Sequence, residues 1–434
     1  MPSPRMHRPR SRIFAIGAML VASGGAFLGT MLAAGSARAD VGDTTFSWGG
    51  YVKLDMIYSS SSAGLESNVG DFILVPGSVP IDAAGQTNYH LSARESRIWF
   101  KTSTPSPYGN VDTHVELDFL GFDTNLGSEV SSNASSLRLR HAFGTWNMVF
   151  GGVSQGALLA GQTWTTIMDL EALPDIIDFG SPAGRIFGQQ SQIRYTRDLG
   201  GGSQLQVAIE NPENTLRIDN PADFGMVDAD ANDHGVVLSP RPGDDLVPDT
   251  VAKYRFGGPW GHVAAAGIAR LIRQKDEYGA ENDADLGYGL HVSGKVMVGE
   301  KHNLRFDGSY GHGLGRYMTF GVFTDGFVDD NGEITPVDIA GTIVSGQFWL
   351  NDITRINLAF SLGQALNNPG SLGGIANERV LSTHANIQWD LTRSLRVGIE
   401  HIYAQRWLED DGTLPAADLT GNLHRVQGAF RFQF

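Results

Sequence analysis

His424-Arg-Val-Gln-Gly-Ala-Phe-Arg-Phe-Gln-Phe434, the last eleven residues of the 434-residue chain, alternates strictly in character. In an extended strand successive side chains point to opposite faces. Val426, Gly428, Phe430, Phe432 and Phe434 therefore share one face, and Arg425, Gln427, Arg431 and Gln433 share the other. As the edge of a soluble sheet, such an aromatic row would invite aggregation unless something covered it.

The same period recurs along the chain. Residues 110–122 set Val111, Thr113, Val115, Leu117 and Phe119 against Asp112, His114, Glu116 and Asp118. Residues 302–311 set Leu304, Phe306 and Tyr310 against Arg305, Asp307 and Ser309, and residues 46–58 set Trp48, Val52, Leu54 and Tyr58 against Tyr51, Lys53 and Asp55. Sixteen strands are predicted: 46–58, 91–102, 110–122, 136–144, 146–152, 187–197, 203–210, 250–256, 262–271, 286–298, 302–311, 341–351, 354–363, 380–390, 394–405 and 424–434. Odd-numbered connections are long, among them 59–90, 153–186, 211–249 and 312–340, whereas even ones such as 198–202, 257–261 and 299–301 are tight. A soluble sandwich has no reason to sort its loops by length. Short turns on one side, long loops on the other and an even count of roughly ten-residue strands are the signature of an outer-membrane barrel. The expected fold is all-β: a 16-stranded antiparallel transmembrane β-barrel with short periplasmic turns and long extracellular loops.

Composition agrees. Glycine (55 residues) is nearly double its usual ~7% share, and charged residues (18%) fall below the usual ~25%. Arg5, Arg8, Arg10 and Arg12 precede an apolar stretch from Ile13 to about Ala34, and Ala37-Arg38-Ala39 offers a cleavage site. Residues 1–39 are read as a signal peptide, with an uncleaved anchor helix as the alternative, and residues 40–434 as one barrel domain. Removing 1–39 deletes five arginines and no acids, which moves the net charge from −15 to −20. An acidic exported chain is no nucleic-acid binder. With no cysteine it has neither disulfides nor thiolate metal sites. After Asp40 no apolar run approaches the ~20 residues of a spanning helix, so anything crossing a bilayer must be a closed barrel.

If the apolar face meets lipid, the other lines a lumen, and that lumen is charged. Lys53, Asp55, Arg97, Lys101, Arg138, Arg140, Arg194 and Arg305 all fall on inward positions, as do Asp112, His114, Glu116 and Asp118. A dry core could not hold so many ions, at several kcal/mol for each one unpaired. Water must fill it, as sixteen strands allow. Any single charge could equally be a wall ion pair without a transport role. The segment 153–186 is too apolar for an exposed loop, and is predicted to fold inward and narrow the pore. Its Trp164, Asp169, Asp175, Asp178 and Arg185 would line the constriction, with the aspartates facing wall arginines. Packing against a neighbouring subunit is the alternative. Arg94, Glu95, Ser96 and Arg97 break the alternation, so that stretch should rise above the membrane or meet another subunit.

Two motifs carry little. Asp228-Ala-Asp230-Ala-Asn232 begins like a calcium loop, but Asp233 takes the glycine position and Ser239 that of the final glutamate. Gly152-Val-Ser154-Gln-Gly156 matches the nucleophile elbow, which needs a strand-to-helix turn that the surrounding chain does not offer. No metal site, cofactor or enzymatic activity is expected. A barrel enzyme and a non-conducting structural or adhesive barrel stand as alternatives to a channel.

Seven segments remain: Gly50-Tyr-Val-Lys-Leu-Asp55, Ser96-Arg-Ile-Trp-Phe-Lys-Thr-Ser-Thr104, Leu137-Arg-Leu-Arg-His-Ala-Phe-Gly144, Leu159-Ala-Gly-Gln-Thr-Trp164, Gln192-Ile-Arg-Tyr-Thr196, Ile209-Glu-Asn-Pro-Glu213 and Gly313-Leu-Gly-Arg-Tyr317. Together they resemble the DcaP-type porins of Gram-negative outer membranes. The aromatic end on Phe434 likewise resembles the recognition end of proteins inserted by the outer-membrane assembly machinery. The resemblance implies a homotrimer embedded in outer-membrane lipid, with an inward third loop. It also implies uptake of small anionic solutes such as dicarboxylates and aromatic acids. Arg97, Arg138, Arg140 and Arg194 sit in the matching motifs and would favour carboxylates through bidentate contacts. With a mature charge of −20, the acids must then gather on the loops and leave the eyelet basic.

Overall fold

The structure, a computed structural model, describes residues 43–61, 74–75, 79–81, 86–121, 135–178, 180, 182–218, 245–274, 284–318, 321–328, 333–367, 376–409 and 419–434. The export segment 1–39 and the candidate calcium ligands Asp228, Asp230 and Asn232 lie outside these residues.

Sixteen antiparallel strands form one closed sheet. They are β1 (Thr45–Ser59), β2 in two segments (Asn88–Ser92 and Arg97–Thr104), β3 (Val111–Gly121), β4 (Ser136–Phe150), β5 (Val153–Trp164), β6 (Gln189–Gly200), β7 (Ser203–Glu210) and β8 (Asp249–Gly258). The second half is β9 (Gly261–Arg273), β10 (Ala284–Val298), β11 (His302–His312), β12 (Asp338–Trp349), β13 (Thr354–Ala365), β14 (Asn377–Thr392), β15 (Leu395–Leu408) and β16 (Thr420–Gln433). Each pairs with the next, and β16 returns to β1 through Leu54↔Phe430 and Met56↔Gly428, which leaves no open edge. Long and short connections alternate as expected. A small three-stranded sheet of Leu216–Ile218, Gly326–Val328 and Ile334–Pro336 lies outside the barrel sequence of pairings.

The strand count agrees with the sequence reading, but two boundaries do not. Segments 136–144 and 146–152 are one strand, β4, and the first part of the presumed loop 153–186 is β5. The turn between them is Gly151-Gly152, with φ of +59° and +77°. Two consecutive positive φ values make the two-residue hairpin turn that matches strand twist and that glycine adopts without strain. Residues Arg94 to Ser96 are the second correction. They interrupt the strand read as 91–102. The chain turns there, with Ser96 N donating to Ala93 O, and places Glu95 against Lys53 and Tyr51 on the inner face.

The two faces separate as hydrocarbon demands. On β1, Tyr51, Lys53, Asp55, Ile57 and Ser59 are buried inward, while Val52, Leu54 and Tyr58 are exposed outward. Exposed Phe46, Trp48, Phe150, Phe256, Trp260 and Phe434 ring the short-turn end, and Tyr58, Tyr89, Tyr288 and Tyr310 stand nearer the long loops. Such aromatic girdles flank the apolar band of a membrane barrel. Leu290, midway along β10, is 64% exposed on that band. Leu290→Arg should cost about 2–4 kcal/mol in urea unfolding from lipid vesicles. A cost below about 0.5 kcal/mol, typical of a water-exposed position, would contradict the lipid-facing assignment.

Candidate functional site

Residues 165–188 leave the end of β5, descend into the barrel and return to β6. Their path is written in hydrogen bonds to the wall. Thr165 Oγ1 and Thr166 N both donate to the Glu210 carboxylate of β7, at 2.6 Å each. Lys253 of β8 donates to Met168 O at 2.7 Å. Asp169 then caps a short 3-10 turn, Leu170–Ala172, and meets His262 Nε2 of β9 at 2.7 Å and Ser293 Oγ of β10 at 2.8 Å. Arg305 of β11 donates to Leu173 O. Asp175 accepts from Arg355 Nε of β13 at 2.7 Å and from Gln347 of β12 at 2.8 Å.

The return is equally bound. Glu400 of β15 accepts from Ile177 N at 2.8 Å, and Lys53 of β1 donates to Ile177 O at 2.9 Å. Asp178 accepts from Arg425 of β16 at 3.0 Å and from Leu74 N at 2.9 Å. Ala183 N and Gly184 N donate to Ser382 of β14 and Ser361 of β13. Arg185 donates to Gly180 O and stacks 4.5 Å from the Phe187 ring. Beneath the polar seam, Ile167, Met168, Ala183, Ile186 and Phe187 join a buried cluster with Leu314, Tyr317, Met318 and Phe323 from the connection 313–337. That connection also folds inward, which the sequence reading did not foresee.

The three aspartates of the loop meet the wall directly, two of them at arginines. Each is in contact with the wall beside it, through His262, Arg355 and Arg425. An isolated carboxylate in such a site would cost several kcal/mol, so the loop seats its acids where donors already stand. For Asp169, burial works against the charge, yet the His262 hydrogen bond and the Lys253 ammonium hold its pKa well below the ordinary carboxylate range. Burial raises the Asp178 carboxyl against the pull of Arg425, and burial pulls the Arg185 guanidinium down to about 9, still charged at neutral pH.

Facing the loop are β2 to β6. Arg138 Nε lies 3.0 Å from Asp118, and Arg140 bridges Glu116 at 2.8 Å and Asp118 at 3.1 Å. Arg97 lies 3.7 Å from Glu116. The register jumps here, from Glu116↔His141 to Leu117↔Leu139, which makes Arg140 the extra residue of a β-bulge. A bulge re-aims side chains, so Arg140 and His141, neighbours in sequence, are both buried. Simple alternation had placed only Arg140 inward. His141 holds Thr163 at 3.0 Å and packs edge-on against Trp164 at 5.4 Å, over which Arg140 also lies.

Lys53 is bound by Glu95 and by Asp55 at 3.1 Å, and Lys101 lies 4.7 Å over the Trp99 ring. Arg194 differs from these cations. Its guanidinium makes no hydrogen bond among the described residues, and its Nε is buried. It lines a cavity of about 290 Å³ with Trp164, Gln206, Lys253 and Arg255, between the start of the loop and the wall. Glu210, His262, Arg355, Glu400 and Arg425, which anchor the loop, were not singled out from the sequence. Alternation marks them as inward but says nothing of which loop they meet. Ser154 of the Gly152–Gly156 motif stands on β5 just past the Gly151-Gly152 turn, on a strand of a hairpin rather than a strand-to-helix elbow.

A family model described as a porin subfamily matches residues 42–417. Among solved structures, the outer membrane channel DcaP of Acinetobacter baumannii superposes with a TM-score of 0.72 at 21% identity, covering 92% of this chain and 100% of its own. The anion-selective porin from Comamonas acidovorans gives 0.57 at 11% identity, with 90% and 100% covered. The trimer form of OmpT, an outer membrane protein of Vibrio cholerae, gives 0.53 at 10% identity, with 90% and 99% covered. No curated protein matches in sequence.

Two outcomes follow from the way the loop is seated. A Cβ on Gly184 would lie 1.9 Å from Leu362 O and 2.7 Å from Thr342 N, because the loop backbone rests directly on β12 and β13. Gly184→Val should lift the loop, with noisier single-channel current and a stability loss on the order of 1–3 kcal/mol; wild-type current and unfolding would contradict this seating. A depressed pKa means that Asp169 stabilises the fold fully above its unfolded value of about 3.9, and loses that contribution only as pH falls below it. Asp169→Asn should therefore destabilise equally at pH 6 and pH 8 in thermal unfolding, and a loss confined to one of these would contradict the clamp.

Proposed function

From the premise that the chain belongs to the porin subfamily, an outer-membrane β-barrel channel, we propose that its water-filled lumen passes small hydrophilic anions by passive diffusion, dicarboxylates and aromatic acids among them. One observation carries the anionic preference. Beside the inward loop, Arg194 lacks a hydrogen-bonding partner among the described residues, and it lines a cavity of about 290 Å³ whose three cations, with Lys253 and Arg255, outnumber its two carboxylates, Asp169 and Glu171, the latter paired with Arg255 at 3.2 Å. An unpaired guanidinium in a partly desolvated site is costly, and a passing carboxylate can satisfy it with two parallel hydrogen bonds. Arg138 and Arg140 contribute differently. With Glu116 and Asp118 they form a nearly balanced cluster, so they supply directional donors more than net charge. The acidic fourth connection leaves room for a basic eyelet within an acidic protein.

Residues 1–39 serve in this reading as the export signal. Three copies would associate through β2 to β6. Thr102 and Thr113 share a 2.7 Å hydrogen bond there, and small residues Ala142, Gly144 and Ala160 follow. The direct test is the reversal potential of the mature protein in a planar bilayer under a tenfold KCl gradient. Wild-type protein should show anion selectivity, and Arg194→Gln should shift the reversal potential toward cations. Cation selectivity in the wild type would overturn the anionic assignment, and an unchanged variant would remove Arg194 from it.

A further inference from the structure

The short-turn rim of the barrel holds a second group of cations that the loop does not use. Arg396 of β15 and Arg431 of β16 are direct cross-strand partners, and on its other side Arg431 is the direct partner of Lys53 on β1. Like charges placed opposite one another destabilise a sheet unless something compensates them. Lys53 has Asp55 and Glu95. Arg396 has only one bond to a carboxylate, from its Nε to Asp390 at 2.6 Å, and the other oxygen of Asp390 is taken by Arg355 at 2.6 Å. Among the described residues Arg431 is bonded to no carboxylate. Its Nε is buried without a hydrogen-bond partner among the described residues, and its guanidinium lies 3.9 Å over the Tyr51 ring, which Arg97 approaches at 5.4 Å. A cavity of about 290 Å³ opens among Arg393, Arg396, Arg431, Asp390 and Gln433.

We propose that Arg396 and Arg431, with Arg393 at the rim, form a separate binding subsite for the carboxylate of a solute at the periplasmic mouth of the channel. The positions are inward: Val397, Phe430 and Phe432 alternate with them on the lipid side, so the ligand comes from the lumen and not from a lipid headgroup. Stacking on Tyr51 holds the Arg431 guanidinium, leaving its edge to donate, and the unused nitrogens of Arg396 provide the second set of donors. Planar forks of this kind match a carboxylate where a lysine would offer only a point charge. Because the subsite lies at the far side of the wall from Arg194, a dicarboxylate or its successor ion meets basic groups at two heights along its route. The inference rests on the anionic reading above and adds to it a location that reading does not contain.

The experiment uses the mature protein in planar bilayers of zwitterionic lipid, with succinate as the probe and the half-blocking concentration of the ion current as the readout. Arg396→Gln with Arg431→Gln should raise that concentration about fivefold, the equivalent of roughly 1 kcal/mol. Asp390→Asn removes the one competing carboxylate and should lower it. The second variant decides the matter if the first does not insert. A wild-type channel that is anion-selective and blocked by succinate, with unchanged block in these variants, overturns the subsite and leaves the anionic porin standing. A wild-type channel that succinate does not block overturns both.

Discussion

Bilayer hydrocarbon offers no partner to a backbone N–H or C=O, and the rest of this structure depends on that constraint. Only a sheet that closes on itself can satisfy it with strands, and β1 does close onto β16. Closure turns the period of two into two solvents. One face must be as apolar as Leu290, Val344 and Phe432, all of them exposed. The other face is released from that demand and can carry Lys53, Arg140, Arg355 and Arg425. A circle of sixteen strands is too wide for wall side chains to fill, which leaves room for water and for a loop that docks among those four buried charges. The channel is thus a consequence of the way the backbone hydrogen bonds are satisfied.

A wet lumen alone would be wide and unselective. The connection 165–188 narrows it, and the physics of its docking is that of buried polar groups. Its backbone amides and carbonyls end on Glu210, Lys253, Arg305, Glu400, Ser382 and Ser361, and its three aspartates end on His262, Arg355 and Arg425. Each of these anchors answers a group that would otherwise be buried without a partner. By taking up acids and bases together, the docked side of the lumen becomes nearly neutral. Among the described residues, Arg194 and, at the rim, Arg431 each keep a buried Nε without a hydrogen-bond partner. The proposed anion selectivity rests on what the loop leaves unpaired.

Much of this was legible in the sequence because a strand's faces are a local property. Lys53 and Asp55 against Val52 and Leu54 can be read without knowing any partner. The segregation of loop lengths needed no structure either. Two boundaries offset one another in the strand count: alternation alone divides β4 in two and leaves β5 as loop, because Leu158, Leu159 and Ala160 lack alternation. The glycine pair at 151–152 was the turn signal that would have corrected both. The bulge at Arg140 was not legible, since it exists only relative to the register of β3. The inward path of 165–188 could be read from its apolar content, but its anchors could not. Glu400 and Ile177 are 223 residues apart, and nothing local joins them.

A water-filled lumen whose charged face alternates residue by residue with a lipid face can be measured directly, because the chain has no native cysteine. Single cysteines at neighbouring positions of β6 and β7 would be exposed to a negatively charged, membrane-impermeant thiol reagent while current is recorded from the reconstituted channel. Arg194→Cys and Gln206→Cys should react and reduce the current, and Ile193→Cys and Val207→Cys should not. Equal reaction at all four positions, or at none, would contradict the account.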